Sequence, residues 1–434
     1  MKKHHKKIIA TLSLWSLIGV IFLAVSIFLV LWAAGYKYNY SAHKWQKSGL
    51  IYITCQPRDV EILVSGKLAA SQCPASLGLL PGDYDLEIRK TNYQSWKKHI
   101  TVEVGRVIKF EDIVLFYASP EKTNIASNIK SFQVSPDSNK LLYINKTLNQ
   151  YNLNTKDLRS IKKIPENLKI SSWSADSEVA LLAGNGNYYL YNANDNILAA
   201  VDFKIPAKIK QIYWLPQGHQ TFLILTQDSK FYNIKNGNLK LIADNIQKIF
   251  PENNDLYYLT LAKNKLQLRR ADFDLTNSKN LVTLTAGEYK LFVKNSNIFI
   301  LDEKGKLSIV INNSLKTISS QVEDFSCSQE LRFFGLIKKS KLLYKTDLGE
   351  IWYYDPETKN NVLIYRTSKT ISKIEWLDNF PYIIFNLDQK IKVIDLFGKN
   401  EITLAPGVNF EIISQNQLIY LDLDKKLNLL KFRN

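Results

Sequence analysis

The residues of this 434-residue chain that could do chemistry are its five histidines, two closely spaced carboxylate pairs, three cysteines and a recurring tryptophan. His4 and His5 adjoin the N-terminus, and His43, His99 and His219 are scattered without the short spacing that places two imidazoles on one metal. A nucleophilic serine would need an elbow such as G-x-S-x-G, which the sequence lacks. Gly184-Asn185-Gly186 sits between apolar strands instead of before a helix, so it reads as a β-turn and not a phosphate cradle. Asp176 with Glu178, and Asp422 with Asp424, have a spacing that acid–base pairs can use. In turns and alternating strands, however, their expected fate is solvation. Trp173, Trp214 and Trp376 fall near the same place in successive segments and are expected to pack in a core instead of stacking on a ligand. Cys55, Cys73 and Cys327 form no C-x-x-C pair. Isolated, partly buried thiols are expected, with one Cys55–Cys73 bridge left open for an oxidising compartment. No catalytic residue, metal site or cofactor is expected.

The elements that would carry these residues begin with a membrane span. Residues 8–34, "IIATLSLWSLIGVIFLAVSIFLVLWAA" from Ile8 to Ala34, contain no charge and exceed the roughly 20 apolar residues that cross a bilayer. The run is also longer than the apolar core of a cleavable leader, which predicts a retained signal-anchor. Lys2, Lys3, Lys6 and Lys7 crowd the tail at residues 1–7 and favour a cytoplasmic N-terminus, leaving everything after the span extracytoplasmic. Trp32, Tyr36, Tyr38 and Tyr40 fit an outer interfacial belt, and residues 35–47 read as a juxtamembrane linker.

A formal charge of +17 invites a nucleic-acid reading. Residues 1–47 carry +7, residues 48–120 balance eight basic against eight acidic side chains, and 121–434 hold the remaining +10 without any Lys/Arg block. This diffuse excess predicts solvated surface charge and no nucleic-acid partner.

Residues 48–118 alternate through "LIYITCQP", "VEILVSGK", "YDLEIRK", "KHITVEV" and "VIKFEDIVLF", which predicts a small β-sandwich with no helix. Leu80-Pro81-Gly82-Asp83 suits a type II turn, after which Tyr84, Leu86 and Ile88 face a core and Asp85, Glu87 and Arg89 face water. Tyr93 and Trp96 are expected to pack over the sandwich's end; the other reading makes them a contact for a partner. The order Gly49-Leu-Ile-Tyr-Ile, Pro57-x-x-Val60, Val64-Ser-Gly66-Lys67, Cys73-Pro74, Leu80-Pro-Gly-Asp-Tyr84, Asn92-Tyr93, Trp96, Val104-Gly105 and Leu115-Phe116 resembles a PEGA domain. The sequence departs from that pattern at Val60, Cys73 and Asn92, where the family usually has Ala, Thr and Gly. The resemblance implies a non-catalytic extracytoplasmic module for display or attachment, and it names no ligand.

Residues 119–434 repeat. Units opening "IKSFQVSP", "LKISSWSA", "IKQIYWLP", "IQKIFPEN", "EYKLFVKN", "VEDFSCSQ", "ISKIEWLD" and "VNFEIISQ" follow each other at 34–49 residues. Each continues through further short strands and Asn/Asp/Gly turns, the period of a four-stranded propeller blade. The last unit has only three strands, and "SPEKTNIAS" (Ser119–Ser127) could supply the fourth and close a ring. Eight blades are favoured, and the long sixth unit leaves seven possible. "VSPDSNKLLY" and "WSADSEVALL" resemble the serine-proline-aspartate turns of bacterial propeller repeats.

The fold class expected is therefore mainly β: transmembrane helix, PEGA-type sandwich, β-propeller. The function expected is a membrane-anchored, non-catalytic binding or scaffolding protein of a bacterial cell envelope, its partners envelope proteins or surface polymers. A propeller-channel enzyme acting on surface or cell-wall polysaccharide, and an envelope-assembly factor that docks secreted chains by strand addition, are the alternatives.

Overall fold

The computed structural model describes residues 2–40, 42–215, 221–235, 237–252, 254–262, 265–294, 297–327, 331–333, 336–338, 341–377, 380–396 and 400–434. His219 lies outside them. The chain divides into two units, Met1–Ser119 with Arg433–Asn434, and Pro120–Phe432.

The first unit opens on one helix, Lys2–Ala33, so the lysine-rich tail continues the helix instead of preceding it. Its stretch Leu14–Ala33 is long and apolar enough to cross a membrane. Residues 35–47, read as a linker, form a hairpin of Tyr36–Asn39 against Lys44–Lys47. The alternation of Tyr36, Tyr38 and Trp45 with polar neighbours is a strand pattern too short to stand out beside the span.

Two sheets follow, one of Ala75–Leu79, Gly49–Gln56 and Val107–Val114, the other of Lys67–Ala70, Glu61–Val64, Gly82–Arg89 and Trp96–Val102. They share one core, with Ile51, Ile53 and Phe110 from the first meeting Ile62, Leu86, Ile88 and Trp96 from the second. Three sequence expectations change here. "VEILVSGK" is not one strand, because Ser65 and Gly66, at φ 46° and 78°, turn the chain back on itself. The Pro81-Gly82 corner is not a type II turn: Gly82 has φ 152°, beyond the roughly 80° of that turn, and already begins the strand, with Tyr84 Oη donating to Leu80 O at 3.0 Å. Cys55 and Cys73 are not separate thiols but a disulfide with Cα atoms 5.6 Å apart, and Cys327 stands apart from it. The pairing was hard to read because the two cysteines sit in different segments of strand sequence, brought together only by the sandwich.

The second unit contains eight four-stranded antiparallel sheets among its described residues. The first runs Ser131–Val134, Lys140–Ile144, Leu148–Asn152, Leu158–Ile161. The others open with Lys169–Trp173, Ile209–Trp214, Ile246–Glu252, Tyr289–Lys294, Val322–Cys327, Ile371–Leu377 and Asn409–Ser414. The core is not one mass but a series of apolar clusters, each shared by adjacent sheets. Leu142 and Ile144 of the first sheet pack with Trp173 and Leu182 of the second. Phe299 and Leu301 of the fifth meet Leu342 and Tyr344 of the sixth. Ile419 and Leu427 of the eighth meet Leu141 and Tyr143 of the first, returning the series to its start.

The eighth sheet takes its fourth strand from the beginning of the unit: Glu121–Ala126 pairs antiparallel with Leu427–Lys431. The length of the sixth unit is also explained, since a separate hairpin, Leu331–Phe333 with Leu336–Lys338, is inserted between that sheet's first two long strands.

Candidate functional site

Several sheets of the second unit begin with a short strand in which apolar and polar residues intermix, as in Ile209–Trp214, Ile246–Glu252 and Ile371–Leu377. A cavity of about 610 Å³ is lined by the ends of four first strands, through Val134, Ser326, Glu375, Trp376, Glu411 and Ile413 among others. A second cavity, of about 540 Å³, is lined by Ser172, Trp173, Gln211, Tyr213, Trp214 and Pro251 from the first strands of the second, third and fourth sheets. Strands from the first, sixth, seventh and eighth sheets can line one cavity only if they converge on a common axis. The first strands are therefore innermost, and this end of them is the candidate site.

The charged groups there are already engaged. Glu411 Oε2 accepts the Val134 N–H at 2.7 Å, which joins the eighth sheet to the first. Burial pushes the Glu411 carboxyl above the usual carboxylate range, and nearby Glu375 adds to the push against the Val134 hydrogen bond and the Lys373 charge. Glu375 pairs with Lys373 at 2.7 Å, and the same ammonium donates to Phe410 O in the next sheet. Chemically, the site offers one carboxyl biased toward its neutral form beside a second carboxyl ion-paired with a lysine. Trp376 Nε1 is a buried donor without a hydrogen-bond partner, and the residue is 7% exposed.

The Lys373 device recurs. Lys140 donates to Ser177 O at 2.7 Å, Lys210 to Gln247 O at 3.1 Å, Lys248 to Tyr289 O at 2.7 Å and Lys345 to Ile371 O at 2.8 Å. Each bond crosses from one sheet to the next. The expectation of solvated lysines therefore fails at two of these positions, since Lys345 is buried and burial lowers the Lys248 ammonium below its ordinary range, while Lys210 stays exposed.

The structure separates the other residues singled out by the sequence. Trp173 and Trp376 are buried in clusters between sheets, and Trp214, half-buried, donates from Nε1 to Ser172 Oγ at 3.0 Å. Asp176 is exposed and caps its turn, accepting from Ser174 Oγ at 2.7 Å and the Glu178 N–H at 3.0 Å. Asp422 departs from the expected solvation. It is buried, accepting the N–H groups of Asp424 and Lys426 and the side chain of Asn428, while Asp424 stays exposed. Asn185 and Gly186 form the expected turn, both with positive φ. His99 pairs with Asp85 at 2.8 Å on the sandwich surface. Among the described residues no group of three or more His, Cys, Asp or Glu side chains converges as a metal site would require.

Trp96 is 2% exposed and packs edge-on against Phe110 at 5.4 Å, which leaves it nothing to present to a partner. Tyr93, partly exposed, bridges Tyr117 through the backbone, meets its ring at a tilt with centroids 5.1 Å apart and accepts from Asn434 Nδ2 at 2.9 Å. Of the interfacial aromatics, Trp32, Tyr38 and Tyr40 are exposed and Tyr36 is half-buried. Sequence reasoning missed Trp45, which the hairpin sets beside Tyr38 at 5.7 Å. Its signal was the strand alternation across residues 36–47.

No protein-family model matches the sequence, and no curated protein matches it. Solved structures do resemble it. The WD40 domain of SCAP from fission yeast aligns at 10% identity and TM-score 0.50, covering 72% of this chain and 98% of that one. The C-terminal WD40 domain of Sif2 aligns at 13% and 0.50, covering 73% and 99%. Sqt1 of Saccharomyces cerevisiae aligns at 12% and 0.50, covering 73% and 98%. At such identities the likeness speaks for fold alone, and it agrees with the convergent first strands and the returning series of apolar clusters: this chain carries a β-propeller.

Proposed function

We propose that this chain is a non-catalytic, membrane-anchored binding or scaffolding protein of a bacterial cell envelope, displaying a PEGA-type sandwich and an eight-bladed propeller outside the cytoplasm. The observation that carries this reading is the use made of the charged side chains at the propeller's centre. Glu411 and Lys373 are spent on joining neighbouring sheets, and Glu375 pairs with Lys373 within its own strand, as a rigid platform requires. The eight sheets and the pairing of Glu121–Ala126 with Leu427–Lys431 support eight blades in a closed ring. The Cys55–Cys73 disulfide supports an oxidising, extracytoplasmic location, and the helix Lys2–Ala33 supports anchoring with the lysine-rich end inside. The rim of the cavity is the expected contact for a protein or glycan, and the inserted sixth-unit hairpin directly follows Cys327, one of its lining residues.

Crosslinking in intact membranes followed by affinity capture tests this. A defined set of envelope components should be recovered with the wild-type chain and lost with Ile413→Arg, which puts a charge into the cavity wall. Unchanged capture by a folded Ile413→Arg chain refutes the cavity as the contact.

The placing of Glu411, whose carboxyl burial raises, beside the Lys373-paired Glu375 favours one second reading, an enzyme acting on surface or cell-wall polysaccharide. Release of sugar fragments by the purified chain, abolished by both Glu411→Gln and Glu375→Gln, would establish it and overturn the first.

A further inference from the structure

We propose that the hairpin Tyr36–Asn39/Lys44–Lys47 is a second membrane-contacting element, an aromatic foot seated in the phospholipid headgroup layer beside the helix; this rests on the helix being a retained anchor. The register pairs Tyr36 with Lys47 and Tyr38 with Trp45. With side chains alternating along each strand, Tyr36, Tyr38 and Trp45 share one face and Lys37, Asn39 and Gln46 the other.

The polar face is tied to the chain's own fold. Asn39 Nδ2 donates to Gln46 Oε1 at 2.7 Å, and Lys37 Nζ donates to Gly78 O in the sandwich at 2.6 Å. Where the hairpin ends, Ser48 donates to Gly35 O from both its N–H, at 2.8 Å, and its hydroxyl, at 2.7 Å. The base of the hairpin is thus closed by Ser48 and Gly35 and fixed to the sandwich through Lys37, so the hairpin is no flexible tether.

The aromatic face turns to the helix instead. Trp45 meets Phe28 edge-on at 6.1 Å, Tyr38 lies 5.7 Å from Trp45, and Tyr40 lies 5.2 Å from Tyr38. These rings remain uncovered: Tyr38 is 36%, Trp45 42% and Tyr40 81% exposed. A continuous patch of tyrosine and tryptophan beside a helix whose large apolar side chains from Leu14 to Val30 are exposed fits the membrane interface, where the ring is shielded from water and its polar edge stays hydrated.

Depth follows from helix geometry. At about 1.5 Å per residue a hydrocarbon core of roughly 30 Å takes about 20 residues of the apolar run, which, with the inner boundary set at Ile8 directly after Lys7, are Ile8 to Phe28. Phe28 then falls at the outer hydrocarbon boundary. The remaining helix to Ala33 rises through the headgroups, and Trp45, folded back alongside Phe28, lies in the same layer. Two contacts on one rigid unit fix its rotation about the helix axis as well as its height.

The test uses the full chain in phosphatidylcholine vesicles whose acyl chains are brominated near the headgroup. In a Cys327→Ala background, an environment-sensitive fluorophore is placed at Trp45→Cys or, for comparison, at Lys67→Cys in the exposed sandwich turn. The label at position 45 should be quenched several-fold more than that at 67. As a check free of the label, the bromide-quenchable part of the native tryptophan emission should shrink in Trp45→Phe. Equal quenching at the two sites, with no loss in Trp45→Phe, overturns the foot while the chain still resists alkaline extraction. Release of the chain by alkaline extraction overturns the anchor, and the foot with it.

Discussion

Replacing Asn428 with alanine should loosen the second unit at one seam in particular. Asn428 is fully buried in the strand Leu427–Lys431, where the last repeat receives the strand Glu121–Ala126. Its Oδ1 accepts from Asn124 Nδ2 at 3.1 Å, and its Nδ2 donates to Asp422 Oδ2 at 3.1 Å and to Lys426 O at 2.9 Å. Two neutral bonds at about 1 kcal/mol each, and one to a carboxylate at about 1.5–3 kcal/mol, set an upper range near 4–5 kcal/mol. Asn124 is exposed and Asp422 keeps its two backbone donors, so water and those N–H groups recover part of the loss, leaving about 3 kcal/mol. In a unit of this size that lowers the melting temperature by about 5–8 °C. Hydrogen exchange gives the decisive readout: amides of Glu121–Ala126 and Leu427–Lys431 should lose protection first. Asn149, also early in the third strand of its sheet, holds a comparable network with Asn145, Thr147 and Ser160, and Asn149→Ala is the control. There the loss should stay within the first sheet. Burial works against the Asp422 charge, but the Lys426 N–H, Asn428 and Lys122 hold its carboxyl below the usual range. A depressed carboxyl stabilises above its unfolded value, near 3.9, and loses that contribution as pH falls through the folded value, so the gap between wild type and Asn428→Ala should narrow in acid. A cost under about 1 kcal/mol, or protection lost evenly over all sheets, would refute the assignment of this residue to the seam.

Three further outcomes are expected. Because the Glu411 carboxyl is raised by burial, the folded state binds the proton more tightly and wild-type stability should decline as pH rises from about 4.3 through the folded value. Glu411→Gln keeps an acceptor for the Val134 N–H and removes that decline; urea unfolding across this range checks it, and parallel curves contradict it. Cys73→Ala opens a cross-link between positions 18 apart and should destabilise the sandwich by about 3 kcal/mol, read by amide exchange in its strands, with peptide mapping of the native chain recovering Cys55 joined to Cys73. Trp96→Ala should cost about 3–5 kcal/mol, against a much smaller loss for partly exposed Tyr93→Ala; chemical denaturation of the two variants decides whether the sandwich is built around that indole.

The repeats were legible because a propeller strand buries one side against the next sheet and so repeats the same short pattern eight times. The opening strands "IKQIYW", "IQKIFP" and "ISKIEW" carry that pattern openly, and each forms the first strand of its sheet. What the pattern could not carry was pairing between segments that have no local reason to meet. Cys55 and Cys73 lie on opposite sides of a Ser65-Gly66 turn hidden inside an apparently continuous apolar run, and only once that turn folds are their Cα atoms close. The candidate site was illegible for a related reason. Glu411 and Val134 are 277 positions apart, and nothing local distinguishes Glu411 from any other acidic residue in an alternating strand.

Charge shows the same limit from the other side. Counting lysines along the sequence treats each as an independent, hydrated ion, and on that basis an excess of +10 over residues 121–434 is surface charge without further meaning. A lysine stem is long enough to reach across a gap between sheets, burying its methylenes against one and delivering three N–H donors to the other. Lys140, Lys210, Lys248, Lys345 and Lys373 do this toward carbonyl oxygens of the following sheet. At Lys140, Lys210 and Lys248 the carbonyl takes the bond without neutralising the charge, so the joint leaves a net positive charge behind, whereas Lys345 and Lys373 also pair with Glu323 and Glu375 and leave none. Part of the basic excess is therefore a by-product of how the sheets are fastened together, and a polyanion would find those ammonium groups already hydrogen-bonded to backbone carbonyls. The same economy explains why Glu411 performs the joint between the eighth sheet and the first: Val134 offers an N–H there instead of a carbonyl, and the joint needs an acceptor.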